Sequence, residues 1–106
     1  MRTKQLTKKK LIGDKPKLYI SGPMTGIQDF NFPAFFAAEE ELKKSYYVFN
    51  PANNPEMENY TDYLRKDIEY LIQCQVIYML KGWKKSVGAS LEHRIAKVLG
   101  FEIIYQ

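Results

Sequence analysis

The chain of 106 residues holds one cysteine, Cys74, one histidine, His93, and one tryptophan, Trp83. A lone thiol cannot close an internal disulfide, so the fold must rest on its own core, and a reducing, cytoplasmic setting is expected. No His, Cys and acidic residues share the spacing of a metal site, so neither metal nor cofactor is expected. No apolar run approaches the roughly 20 residues that span a bilayer, and the start lacks the apolar stretch of a secretory signal. Phosphate-cradle signatures are missing too. The loop Gly22-Pro23-Met24-Thr25-Gly26 is not a G-x-G-x-x-G fingerprint, and there is no P-loop. Internal repeats and low-complexity segments are also lacking.

What is present is a globular composition, with 45% hydrophobic and 14% aromatic residues. That suits one domain with a modest core. The net charge of +4 is concentrated at one end. Residues 1–17 hold seven Lys or Arg against one acid, while the rest holds nine basic and eleven acidic residues. Residues 1–16 are therefore expected to form a solvated, poorly ordered basic arm, and 17–106 the domain. Without interleaved aromatics the arm is a weak signal for nucleic acid.

After the arm, Lys17 to Ser21 is a short β-rich run that stops at Gly22-Pro23. A loop to Asn31 follows, and Asn31 is expected to cap a helix with Pro33 in its first turn. Phe35, Ala38 and Leu42 share one side of that helix. Tyr46 to Phe49 is a second strand, ended by Asn50-Pro51. A polar loop leads to a second helix with Leu64, Ile68, Leu71 and Ile72 at helical spacing. Asp67 lies three residues after Leu64 and four before Leu71, on the packed side. Val76 to Leu80 reads as a strand buried on both faces. A third helix over 86–99 carries Gly88, Glu92, Ile95 and Leu99 on one stripe, and 101–105 forms the last strand. This alternation predicts a parallel α/β sheet. Ligands in such folds sit beyond the carboxyl ends of the strands. That rule gathers Tyr19, the loop Ser21, Gly22, Pro23, Met24 and Gly26, the Asn50 turn, and the 81–90 segment into one crevice.

Two carboxylates on packed helix faces, Asp67 and Glu92, suit cleavage of a glycosidic bond. One can stabilise or capture the oxocarbenium-like carbon, and the other can assist the leaving group. Glu92 is assigned the first role and Asp67 the second. The structural alternatives are plain ion pairs: Asp67 with Lys66 or Arg94, Glu92 with a lysine across the fold. Gly88, Ala89 and Ser90 would open the backbone N–H groups of a helix start to an anion. Trp83, placed on the lip of the cleft, is a candidate to stack on a base. His93 is about 100° round the helix from Glu92 and should point away.

The stretches Tyr19 to Gly26, Asn31-Phe32-Pro33-Ala34-Phe35, Asn50-Pro51, Asp67-Ile68, Gly82-Trp83 and Ser86 to His93, in that order, resemble the small phage and bacterial proteins of the DUF4406 family. That family is similar to the nucleoside 2-deoxyribosyltransferase superfamily, which includes deoxynucleoside monophosphate N-glycosidases. The resemblance implies a flavodoxin-like three-layer fold with a mostly parallel four-stranded sheet. It implies that Glu92 attacks the anomeric carbon, that Asp67 lies toward the base, and that Tyr19 and Gly22 touch the ligand. Superfamily transferases tend to carry an aspartate six residues before the glutamate, and the monophosphate hydrolases a serine. Ser86, beside Lys84 and Lys85, therefore points to a nucleoside 5′-monophosphate. Gln75 and Pro23 depart from the pattern, at an acidic position and at a phosphate-holding serine. Relatives that borrow site residues from a neighbouring subunit imply a homo-oligomer. Hydrolysis, deoxyribosyl transfer between bases, and nucleotide sensing without turnover all stay open at this point.

Overall fold

The computed structural model describes residues 15–54 and 59–106. Nearly all of the expected basic arm, and residues 55–58 of the loop before the second helix, lie outside the described residues. The strands are β1 (Lys17–Ser21), β2 (Tyr47–Phe49), β3 (Val76–Met79) and β4 (Glu102–Tyr105). Between them run α1 (Phe32–Leu42), α2 (Tyr60–Leu71) and α3 (Val87–Val98). The sheet is parallel throughout, in the order β2-β1-β3-β4. β1 is therefore central, and the strand order switches between β1 and β3, where such folds place their ligands.

Side chains alternate across a strand, so β1 serves two cores at once. Leu18 and Ile20 point to one face, where they pack with Phe35 of α1, Val76 and Leu80. Tyr19 points to the other face, with Leu71 of α2, Ile77, Met79, and Ala89 and Ala96 of α3. Helices on both faces explain why β3 reads as an unbroken apolar run. Ser21 is two residues beyond Tyr19 and is also fully buried. A buried hydroxyl in that position must find a partner on α3 or leave an unmet hydrogen bond.

Three local expectations change. Leu99 and Ile72 are exposed, 55% and 56% respectively, because each sits where its helix runs out past the core. The inner stripe of α3 is instead Gly88, Ala89, Glu92 and Ala96, in which the glycine and two alanines bring the helix close to the sheet. Asn31 does not cap α1 with its side chain. Its backbone is left-handed, at φ 60°, and its amide donates to the Pro23 carbonyl at 3.0 Å.

Gly22 is fixed by packing. A Cβ there would lie 2.7 Å from the Leu80 Cβ, an atom carried directly on the backbone of the neighbouring chain segment. Gly22→Ala is expected to destabilise the domain by about 1–3 kcal/mol. Chemical denaturation would measure this as a lower midpoint with an unchanged slope.

Candidate functional site

At the carboxyl end of the sheet lies a cavity of about 480 Å³, within the roughly 300–1,000 Å³ of small-molecule sites. Tyr19 and Glu92 line its floor. Gly22, Met24, Thr25 and Phe30 form the side supplied by the β1–α1 connection, joined by Phe32 and Phe35 from the first turn of α1. Pro51, Ala52 and Asn54 follow β2, while Tyr60, Tyr63, Leu64 and Asp67 come from α2. Ser86, Gly88 and Ala89 at the start of α3 complete it. One face of α2 therefore points inward, as the helical spacing of Tyr60, Leu64, Asp67 and Leu71 requires.

Glu92 is 5% exposed and makes no ion pair among the described residues, where the bridges are Lys43–Glu40, Lys44–Glu41 and Lys66–Glu69. Two hydroxyls hold it instead. Tyr19 donates to Oε2 and Ser21 to Oε1, each at 2.7 Å. The same-face spacing of Tyr19 and Ser21 on β1 delivers one donor to each carboxyl oxygen, which fixes the group rigidly. Burial pushes the Glu92 carboxyl up to about 7, the two hydroxyls draw it back, and the Asp67 charge adds to the rise. Burial also pushes Asp67 to about 7, opposed by Asn54, whose amide donates to Oδ1 at 2.6 Å. The Tyr19 phenol is raised far above its usual range by its burial and by Glu92, so it stays a donor. Tyr19→Phe removes one of the bonds that draw Glu92 down, and its carboxyl should titrate at higher pH. The buried carboxyl stretch in infrared spectra, followed against pH, measures this.

Of the residues expected in the crevice, Tyr19, Gly22, Met24, Asp67, Ser86, Gly88 and Glu92 line the cavity. Ser21 acts from behind, through Glu92. Five others are elsewhere. Asn50 is buried, accepting from the Ala52 N–H and donating to Glu39, so it shapes the turn whose next residues reach the cavity. Pro23 is buried, its Cγ 3.4 Å from where a Cβ on Gly82 would stand, and Gly26 is a left-handed turn residue at φ 82°. The Ser90 hydroxyl lies 3.4 Å from each of the Trp83 and Lys84 carbonyls. Trp83 is not at the lip. The left-handed Gly82, at φ 87°, turns the chain so that the indole stacks on His93 with 4.1 Å between ring centroids. His93 does point away from the cavity, its Nε2 2.8 Å from the Tyr105 hydroxyl.

The helix start is less open than its small residues suggest. Ser86 Oγ accepts from the Ala89 N–H at 3.1 Å, and the Ser90 N–H is used by the Ser86 carbonyl at 2.9 Å. The Gly88 N–H faces the Tyr60 hydroxyl. Gln75 lies at the opposite end of the sheet, its Oε1 accepting from the Lys17 N–H at 3.0 Å. That departure from the family pattern therefore does not touch the cavity. The aromatic lining by Phe30, Phe32, Phe35, Tyr60 and Tyr63 was not singled out from the sequence. The signal available was a Phe-rich run directly after a glycine-bearing loop.

Among the described residues no three His, Cys, Asp or Glu side chains cluster as metal ligands, and no helix is long and apolar enough to cross a membrane. Comparison with curated proteins finds no match. Among solved structures, the chain is similar to a 2-desoxiribosyltransferase from Leishmania mexicana. The TM-score is 0.68 at 19% identity, covering 85% of this chain and 63% of that one. It is also similar to a 2-deoxyribosyltransferase from the psychrotolerant bacterium Bacillus psychrosaccharolyticus. There the TM-score is 0.65 at 17% identity, covering 84% of this chain and 70% of that one. At such identities the likeness is one of fold, and the chain spans under two thirds of the Leishmania protein. Residues 16–105 match the model of a domain of unknown function, DUF4406, and the chain belongs to that family.

Proposed function

We propose that the cavity cleaves the N-glycosidic bond of a deoxynucleoside 5′-monophosphate, with Glu92 as nucleophile. The observation that carries this reading is a buried carboxylate held by two hydroxyls in the same cavity as a second carboxyl. When the pair holds one proton, the better-solvated anion is the one with more donors. Glu92 has Tyr19 and Ser21, whereas Asp67 has Asn54. In this reading the shared proton is assigned to Asp67, since both carboxyls are pushed to about 7 and the two hydroxyl donors favour charge on Glu92. The ionised Glu92 attacks the anomeric carbon and forms an ester bond to it. The C–N bond breaks, its electron pair passes to the base nitrogen, and the Asp67 proton neutralises the leaving base. Water then attacks the same carbon, gives its proton to Asp67, and releases Glu92. A second base in place of water would give deoxyribosyl transfer.

Ser86 supports a phosphate-bearing ligand. It lines the cavity, and its hydroxyl accepts from Ala89 while keeping its own proton to donate. An aspartate there would repel a phosphate. Ser86→Asp is expected to raise KM for 2′-deoxynucleoside 5′-monophosphates by ~10-fold or more, and to spare the corresponding nucleosides.

The decisive experiment is incubation with a panel of nucleosides and 5′-monophosphates, read by chromatography for liberated base. Free base together with 2-deoxyribose 5-phosphate supports hydrolysis. A new nucleotide formed only when a second base is supplied supports transfer. Intact ligand after long incubation, with saturable binding by calorimetry, would replace the enzyme with a nucleotide-binding module.

A further inference from the structure

We infer that Asn31 is a positioning residue, whose clamp on the Pro23 carbonyl holds Phe30 as the wall against which a flat base packs. The inference rests on the nucleotide reading above and deepens it. Asp29, Phe30 and Asn31 all have left-handed backbone, with φ of 55°, 52° and 60°. Asp and Asn tolerate that region, but a bulky aromatic residue does not adopt it readily. The turn is closed by Phe30 N–H donating to the Ile27 carbonyl at 2.9 Å. The Asn31 amide bonds the Pro23 carbonyl at 3.0 Å and so ties the start of α1 back to the end of β1.

The outcome of this unfavourable backbone is an aromatic ring that lines the cavity while 59% exposed. Its nearest aromatic neighbour is Phe32, at 6.0 Å between centroids and tilted by 41°, so the ring is not closed off by stacking within the protein. Strain of this kind persists where the surroundings enforce it, and it gathers at ligand sites. The chemistry that would cover an open aromatic face is another π-face. The base supplies one, whereas the sugar suits the carboxyls and the phosphate suits Ser86.

The test is calorimetry with two probes, 2′-deoxyadenosine 5′-monophosphate and 2-deoxyribose 5-phosphate, the second lacking a base. Phe30→Ala is expected to weaken the first by ~10-fold and leave the second unchanged, with Phe30→Tyr restoring affinity. Asn31→Gly keeps the left-handed backbone accessible but removes the clamp, and should match Phe30→Ala. The double variant should be no weaker than Phe30→Ala alone, because Asn31 acts through Phe30. Thermal unfolding identifies any variant that has lost its fold; the folded Phe30→Ala and Phe30→Tyr pair then decides the base wall, and a folded Asn31→Gly that binds both probes as the wild type does would overturn the clamp. Equal weakening of both probes, no effect of Phe30→Ala, or additive losses would overturn the inference while leaving the nucleotide reading intact. If the wild-type protein binds neither probe, the nucleotide reading fails and this one with it.

Discussion

Glu92→Gln is expected to cut base release by about 10³-fold or more, while making the protein more stable above neutral pH. Both effects come from the same buried position. Glutamine cannot form the ester to the anomeric carbon, so turnover falls even where binding persists. The stability effect follows from the raised carboxyl. Glu92 titrates at about 7 in the fold against an ordinary 4.5. Below 4.5 the carboxyl is protonated in both folded and unfolded chains, and there is no penalty. Between 4.5 and 7 the unfolded chain releases its proton first, so wild-type stability falls as pH rises. Above 7 the loss is complete and constant, at about 3 kcal/mol. Glutamine carries no such charge, and the Tyr19 or Ser21 hydroxyl can turn to accept from its amide. Thermal unfolding of both proteins from pH 4 to 8 should give curves that diverge between 4.5 and 7. Parallel curves would mean that Glu92 is not held in a desolvated site, and full turnover by Glu92→Gln would remove it from the chemistry.

Asp67→Asn should lower kcat by about 10²–10⁴-fold, the range associated with loss of a general acid or base. It should also reshape the pH dependence. Both carboxyls are pushed to about 7 and repel one another, so they titrate as a pair. The wild-type profile of kcat/KM should be bell-shaped and centred near neutrality, since activity needs one proton shared between them. In Asp67→Asn the alkaline limb should vanish, because no second proton is left to lose. The acid limb should stay nearly in place, because Asp67 is protonated and uncharged while Glu92 titrates there. A bell retained in the variant would assign the alkaline limb to another group and take Asp67 out of proton transfer.

The sequence was most legible where a period or a punctuating residue carries the information. Gly22-Pro23, Asn50-Pro51 and Gly100 bracket the strands, and the observed boundaries differ from the expected ones by a residue or so. Asp67 and Glu92 were visible because a charge on an apolar helical stripe is costly without a partner. The partners themselves were not visible in the same way. Tyr19 and Ser21 lie over 70 residues from Glu92 in the chain. Only the packing of β1 beneath α3 shows that both hydroxyls meet that carboxyl. Trp83 illustrates the opposite failure. Its place after a strand and a glycine suits a cleft lip, yet the left-handed Gly82 and the pull of two neighbouring rings send it to the other side of α3.

Alone, the order of residues determined the alternation of strands and helices, the parallel sheet, and which two acids face inward, since each follows from hydrophobic period and local backbone preference. Tertiary structure decided how those acids are held, that Tyr60 faces the helix start, and that three consecutive left-handed residues present Phe30 to the cavity. These depend on contacts between segments remote in the chain and on backbone conformations that no local preference favours, so they exist only once the layers have packed.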